Sequence, residues 1–143
     1  MGRQRVKIQF EKSALWKDVG YAPHRGQQEF HRSEARFRLL AAGSRFGKSI
    51  AAGMEILAYM MVPNCRIWAV GPTYDLAEKE FRYVWDAILK MRITPKRMID
   101  NPTNGDMMIE LDNGSRLTCK SWHRPETLLG EELDLLVLCE GSK

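Results

Sequence analysis

An eight-residue segment at positions 42–49 constrains the fold more than any other part of the 143-residue chain. It reads AGSRFGKS and fits the pattern G-x-x-x-x-G-K-[ST] at every fixed position except the first, where Ala42 replaces glycine. In such a segment, small residues let successive backbone N–H groups turn towards phosphate oxygens, and the following helix directs its positive N-terminal end at the same charge. We therefore predict a strand at 36–41, a phosphate-binding loop at 42–49 and a helix at 48–61.

The residues of this loop suit the binding of a nucleoside triphosphate together with Mg²⁺. Lys48 is expected to reach the β- and γ-phosphates, and the Ser49 hydroxyl is expected to bind Mg²⁺. Arg45 adds a second cation, which either contacts the γ-phosphate during catalysis or remains solvated. The other residues expected to line the phosphates are Gly43, Ser44, Phe46 and Gly47. The competing interpretation, a surface turn with Lys48 as a solvated charge, leaves the Gly-Lys-Ser triplet unexplained.

The rest of the chain alternates between strand and helix patterns. Residues 66–70 form an apolar run of strand length, and apolar residues recur at helical spacing over 76–91. Segments 107–111 and 116–119 flank an Asn-Gly dipeptide, which tolerates the positive φ angles of a tight hairpin turn. A nearly continuous aliphatic run at 133–138 is typical of a strand buried on both faces of a parallel sheet. The predicted fold class is α/β, a P-loop NTPase with a mainly parallel sheet flanked by helices and an added β-hairpin.

Composition excludes several classes of protein but selects no function. Hydrophobic residues make up 44% of the chain and charged residues 28%, without an apolar run that could span a bilayer or a secretory signal, so we expect a cytoplasmic protein and no membrane partner. The net charge of +4 is compatible with a polyanionic partner but does not establish one. The three cysteines are widely spaced and indicate buried thiols, because neither a zinc site nor a disulfide framework fits their spacing.

Four segments of the sequence together resemble the ATPase domain of the large terminase subunit of tailed bacteriophages. Residues 21–31 are similar to the adenine-recognition segment of that family, and Gln27 occupies the place of its base-contacting glutamine. A primary amide can donate to and accept from adenine at once, so a single glutamine suffices to prefer that base. Residues 67–74 and 113–115 are similar to the family's second strand and hairpin. The resemblance implies that the nucleotide is ATP.

The fourth segment, 135–140, resembles a Walker B motif of four aliphatic residues followed by two acidic ones. Glu140 stands in the place of the catalytic carboxylate that orients or deprotonates the attacking water. Cys139 stands where the family has the aspartate that orients Mg²⁺, and a thiol is a soft ligand poorly suited to this hard cation. The departure puts Mg²⁺ handling in question, whereas Ser49 and the phosphate oxygens can still hold the ion.

The resemblance also implies a domain organisation and a set of partners. We expect a basic leader at 1–20, the adenine-recognition segment at 21–35 and the N-terminal part of the ATPase core at 36–143, followed in the intact protein by an additional strand and a nuclease domain. The implied partners are double-stranded DNA, the terminase small subunit and the capsid portal, with the intact protein forming a homo-oligomeric ring. Two alternatives stay open, namely a helicase-like ATPase acting on other nucleic acid and a nucleotide-binding module that does not hydrolyse.

Overall fold

The computed structural model describes residues 4–101, 106–128 and 130–139. It contains a five-stranded mixed sheet with helices packed against it. In chain order the elements are α1 (Lys12–Val19), α2 (Arg25–Arg32), α3 (Lys48–Met60), β1 (Arg66–Gly71), α4 (Tyr74–Lys90), β2 (Arg97–Asn101), β3 (Asp106–Glu110), β4 (Arg116–Ser121), a 3-10 turn (Pro125–Leu128) and β5 (Leu135–Leu138). The two helices predicted at 48–61 and 76–91 are thus confirmed as α3 and α4.

The sheet has the order β2-β3-β4-β1-β5 and combines parallel with antiparallel pairing. β1 lies parallel to both β4 and β5, with Ala69 opposite Cys119 on one side and Val137 on the other. The pairs β2-β3 and β3-β4 are antiparallel, so the predicted hairpin is confirmed. β2 was not predicted, because its sequence RMIDN has no alternation of apolar and polar residues. The α/β fold class is confirmed, and the carboxyl ends of β1 and β5 lie at the same edge of the sheet.

Helices α3 and α4 pack against each other and against the sheet to form the core. Gly53 of α3 allows a close approach, since a Cβ atom built there would lie 2.9 Å from Cβ of Tyr83 and 3.4 Å from the Glu80 carbonyl oxygen. Burial of each large apolar side chain contributes about 1.5–3 kcal/mol. The largest fully buried apolar side chains are Phe81, Ile56, Leu57, Met60, Ile67, Ile88, Met107, Ile109 and Leu117. This packing brings the middle of α4 close to the first turns of α3.

The prediction of a strand at 36–41 is wrong for the described structure, because residues 36 and 37 form a bend, residues 38–41 have no regular secondary structure, and the segment pairs with no strand of the sheet. Phe37 is 83% exposed and Leu39 is 91% exposed. β5 is an edge strand, and Leu138 on its outer face is 68% exposed, so the prediction that 133–138 is buried on both faces is also wrong. A strand is held by hydrogen bonds to its neighbours, and none of the described strands lies beside segment 36–41 or along the outer edge of β5.

The N-terminal part of the chain belongs to the packed structure. Helix α1, which lies inside the predicted basic leader, contributes Leu15, Trp16 and Val19 to the core.

All three cysteines are buried thiols, as predicted. Within the described ranges no helix is long and apolar enough to cross a membrane.

Candidate functional site

The loop at 42–49 folds as a tight turn that leads directly into α3. The Phe46 N–H donates to the Gly43 carbonyl over 3.1 Å, and the Ala51 N–H donates to the Gly47 carbonyl over 3.1 Å in the first turn of the helix. Gly47 precedes α3 with a φ of 88°, a conformation that side chains disfavour. A Cβ atom at this position would also lie 2.6 Å from Nε2 of Gln27. Glycine is therefore favoured here by the backbone conformation, and a larger residue would also displace the Gln27 amide.

The ammonium group of Lys48 and the start of α3 both lie at this turn. Nζ of Lys48 donates to the Ala42 carbonyl oxygen over 2.7 Å, so the ammonium group lies across the loop and joins its two ends. The start of α3 has no side-chain cap and no acidic residue of its own in the first turn, where the helix dipole places positive potential. Gly43, Ser44 and Arg45 are exposed, whereas Phe46 and Ser49 are half-buried.

The segment predicted to recognise adenine lies directly against this loop. His24 caps α2, and its Nδ1 accepts the Gly26 N–H over 3.2 Å. With Nδ1 acting as acceptor, Nε2 carries the proton and donates to the Phe46 carbonyl over 2.8 Å. The rings of His24 and Phe46 also meet edge to face, with centroids 4.5 Å apart. The segment predicted to recognise the base and the predicted phosphate loop are thus in direct contact.

Gln27 makes the second link between the two segments. Its Nε2 donates to the Gly47 carbonyl over 3.1 Å, and its Oε1 accepts the His24 backbone N–H over 3.1 Å. A primary amide has two N–H groups and two lone pairs, so these bonds use half of its capacity. The side chain is buried, and it lines a cleft of about 420 Å³ together with Tyr21, Ala22, Ile50 and Met54, among other residues.

A buried carboxylate on α3, Glu55, connects this helix to the segments around it. Its side chain is 2% exposed and lies 2.8 Å from Nζ of Lys12, 2.9 Å from Nδ1 of His31 and 2.6 Å from Nη1 of Arg38. Burial alone would raise the pKa of Glu55, but hydrogen bonds from His31 and Lys12 and the charges of Lys12 and Arg38 outweigh it and lower the pKa to about 2. The sequence prediction did not include this cluster.

Glu80 of α4 is a second buried carboxylate that the sequence analysis did not predict as part of the site. It lies beside Ser49 and Cys139. The Ser49 hydroxyl and the Cys139 thiol both interact with its carboxyl group. Burial raises the pKa of Glu80 against the opposing effect of these hydrogen bonds, and burial together with Glu80 raises the pKa of the Cys139 thiol. Cys139 is held at the end of β5 by its N–H, which donates to the Val70 carbonyl over 2.7 Å.

The predicted site residues are therefore brought together in part. Gln27 contacts the loop residue Gly47, and Glu80 connects Ser49 at the start of α3 with Cys139 at the end of β5. The predicted catalytic residue Glu140 lies outside the described residues. Over the ranges that the structure describes, no cluster of three or more His, Cys, Asp and Glu side chains is arranged to hold a metal ion. Any Mg²⁺ at Ser49 would therefore take most of its ligands from phosphate and water.

Comparison with known proteins connects this arrangement to one family. No protein-family model matches the chain. Two curated relatives, both named "Terminase, large subunit", from Thermus phage G20c and Thermus virus P23-45, are each 30% identical over 140 residues; the match covers 87% of this chain and 29% of each relative. The chain thus spans less than a third of the length of these relatives.

The solved structures that match agree with the sequence relatives. The large terminase ATPase domain of Thermus phage P74-26 superposes with a TM-score of 0.73 at 27% identity, covering 94% of this chain and 58% of that one. A structure of the same domain with an arginine-to-alanine substitution gives a TM-score of 0.70 at 27% identity, covering 86% and 55%. By sequence and by fold, the chain belongs to the large terminase subunit family, within which it matches the ATPase domain.

Proposed function

We propose that the chain binds and hydrolyses ATP and that, in the intact protein, this hydrolysis powers the translocation of double-stranded DNA into a viral capsid. The observation that carries the proposal is the direct hydrogen bonding of the phosphate loop to the base-recognition segment, through His24 to Phe46 and through Gln27 to Gly47. Such contacts fix the position of a base relative to a triphosphate. The relatedness to large terminase subunits supplies the biological context.

The triphosphate is proposed to bind at the start of α3. Backbone N–H groups of the loop residues Gly43, Ser44 and Gly47, together with the N-terminal end of the helix, contact the phosphate oxygens, and the Phe46 N–H joins them by exchanging its bond to the Gly43 carbonyl. Lys48 exchanges its bond to the Ala42 carbonyl for the β- and γ-phosphates. Arg45 is exposed at the tip of the turn, where it can reach the γ-phosphate.

The residues present also fit Mg²⁺. The Ser49 hydroxyl is a hard oxygen donor at the first turn of α3, and a buried carboxylate lies beside it. When bound with ATP, the ion would offset charge on the phosphoryl group that is transferred. Glu140 is proposed to orient the attacking water, a role that rests on its position directly after the strand β5 and Cys139.

Gln27 is proposed to read the adenine base while it also supports the loop. We expect Gln27→Ala to weaken ATP binding about tenfold and to weaken GTP binding less, because a lost hydrogen bond to a buried group costs about 1–3 kcal/mol. Fluorescence titration with labelled ATP and GTP measures both affinities. The adjacent Gln28→Ala, which removes only a bond to the Pro23 carbonyl, is the matched control. An equal loss for the two nucleotides would show that Gln27 supports the loop without reading the base.

The intact protein is proposed to contain elements that complete this domain. An additional strand placed between segment 36–41 and β5 would cover Phe37, Leu39 and Leu138, whose exposure is unusual for large apolar side chains. We further propose that the intact protein contains a nuclease domain and forms a homo-oligomeric ring. It would contact the small subunit and the portal, and it would be located in the host cytoplasm. Basic side chains on the surface would contact the DNA backbone.

A second candidate function is favoured by one observation, the thiol of Cys139 in the place of an acidic residue. In that case the chain binds ATP as a structural or regulatory ligand and does not hydrolyse it. The test is the steady-state release of phosphate by the intact protein with Mg²⁺ and ATP, in the presence and absence of double-stranded DNA. Turnover that rises with DNA supports the motor function. Tight ATP binding without turnover would instead support the second candidate.

A further inference from the structure

The carboxylate of Glu80 is buried without the partners that buried charges usually have. Glu80 is 4% exposed, and its Oε2 atom has no hydrogen-bond partner among the described residues. None of the ion pairs found in the described part of the chain includes it. Burying a carboxylate without a counter-charge costs several kcal/mol, so such a group rarely serves stability. Its surroundings should therefore indicate what it binds.

Those surroundings are the place where a triphosphate-bound cation would lie. The side chains that interact with the Glu80 carboxyl group are the Ser49 hydroxyl and the Cys139 thiol. Ser49 is the predicted Mg²⁺ ligand of the loop, and Cys139 occupies the position of the aspartate that normally orients this ion. The carboxyl group of α4 thus lies beside both the predicted Mg²⁺ ligand of the loop and the position of β5 that lacks an oxygen donor.

The packing of the two helices explains how α4 reaches this place. Gly53 follows Ser49 by one turn of α3 and so lies on the same face. At Gly53 the two helices approach so closely that a Cβ atom would lie 3.4 Å from the Glu80 carbonyl oxygen. The backbone of α4 therefore passes the face of α3 that carries Ser49, and a glutamate side chain is long enough to span one helical turn.

We propose that Glu80 supplies the carboxylate of the Mg²⁺ site in place of the aspartate that Cys139 replaces. In this proposal the carboxylate that would hold the ion comes from the neighbouring α4 and not from the end of β5. This inference rests on the proposed ATPase function. It also resolves the doubt raised by Cys139, since a hard oxygen ligand is restored where a soft thiol would fail.

The test separates the binding of the metal from the binding of the nucleotide. In the intact protein, ATP affinity is measured by titration with a fluorescent ATP analogue, once in excess EDTA and once in Mg²⁺. Glu80→Gln keeps the shape of the side chain and removes its charge. We expect it to lower the gain in affinity that Mg²⁺ provides by roughly 10- to 100-fold, the usual effect of removing a carboxylate that orients a metal site, and to leave the affinity in EDTA unchanged.

A second variant moves the charge back to β5. Adding Cys139→Asp to Glu80→Gln is expected to restore the dependence on Mg²⁺, because the carboxylate returns to the strand. Mn²⁺ binding in the presence of ATP, followed by electron paramagnetic resonance, reports the same loss and rescue without turnover. The matched control is Glu78→Gln, which removes a surface glutamate of the same helix that pairs with Arg82 at 2.8 Å.

The outcomes distinguish this inference from the function on which it rests. An unchanged effect of Mg²⁺ in Glu80→Gln, in a parent protein that binds Mg²⁺ with ATP, would overturn the role of Glu80 alone. Failure of Cys139→Asp to rescue Glu80→Gln would overturn the inference that Glu80 takes the place of an aspartate at position 139. Failure of the parent protein to bind ATP under any condition would overturn the proposed function, and the inference with it.

Discussion

Replacing Lys48 with alanine is expected to weaken ATP binding on the order of 100-fold and to lower turnover by about 100- to 1,000-fold. Lys48 is the cation whose ammonium already lies across the loop, 2.7 Å from the Ala42 carbonyl. A charge-assisted hydrogen bond to phosphate contributes about 1.5–3 kcal/mol, and the charge that develops on the phosphoryl group in the transition state adds to this. Nucleotide titration and phosphate release by the intact protein measure the two effects.

The control for this substitution is Lys17→Ala, which removes an exposed lysine of α1 and leaves the loop intact. We expect it to keep both affinity and turnover, and circular dichroism of the two variants should be the same. Normal nucleotide binding by Lys48→Ala would contradict the proposed phosphate loop. The function proposed above would then lose its main support, since the contacts of His24 and Gln27 would only stabilise a turn.

Glu140→Gln is expected to lower turnover without weakening ATP binding. Its ATP affinity should stay near that of the parent protein, whereas turnover should fall by about 100- to 10,000-fold, the range that a general base contributes. Comparison of the two variants therefore separates a residue that binds the phosphates from one that acts on water. A loss of binding in Glu140→Gln, or full turnover, would contradict the role assigned to this carboxylate.

Much of the fold was predictable because its strongest signals are local. The helices α3 and α4 follow from the spacing of apolar residues, and the hairpin follows from the Asn-Gly turn between two short apolar runs. The place of the loop before α3 follows from its glycine and lysine pattern. Each of these features is encoded within a window of about twenty residues, which is why a single sequence suffices for it.

The features that were wrong or missed depend on contacts between distant parts of the chain. Segment 36–41 has the composition of a strand, but strand formation also needs a partner, which the described residues do not provide. Glu55 and Glu80 look like ordinary polar positions of amphipathic helices. Their burial becomes evident only in the folded structure. Glu55 is covered by Lys12, which is 43 positions away in the chain, and Glu80 is covered by the end of β5.

The cluster around Glu55 explains how the site is held together in spite of its exposed loop. Lys12 of α1 donates to both Glu55 and the His31 carbonyl, and Arg38 donates to both Glu55 and the Phe30 carbonyl. One carboxylate of α3 thus fixes α1, α2 and the segment that leads into the loop. Because α2 carries Gln27, the position of the proposed base-recognition segment relative to the loop at 42–49 depends on this buried charge.

Replacing Glu55 with glutamine is accordingly expected to lower the free energy of unfolding of this domain by about 3–5 kcal/mol, the cost of leaving buried partners without their counter-charge. Lys12 and Arg38 are only 22% and 14% exposed and would be left without a carboxylate. Urea denaturation of the intact protein, followed by tryptophan fluorescence, measures the change. Trp16 is a suitable probe because its ring centroid lies 4.8 Å from that of His31, which contacts Glu55. The control is Glu29→Gln, which breaks an exposed pair with Arg25 and should cost less than 1 kcal/mol.

The same substitution should remove a pH dependence whose direction follows from the pKa of Glu55. The pKa is lowered from 4.5 to about 2 on folding, so the ionised carboxylate stabilises the fold above about pH 4.5, and this contribution is lost as the pH falls from 4.5 towards 2. A shift of this size corresponds to about 3 kcal/mol. The parent protein should therefore lose stability over this range, and Glu55→Gln should lose less. Parallel pH profiles for the two proteins would show that the carboxylate is not the group that holds α1, α2 and the loop segment on α3.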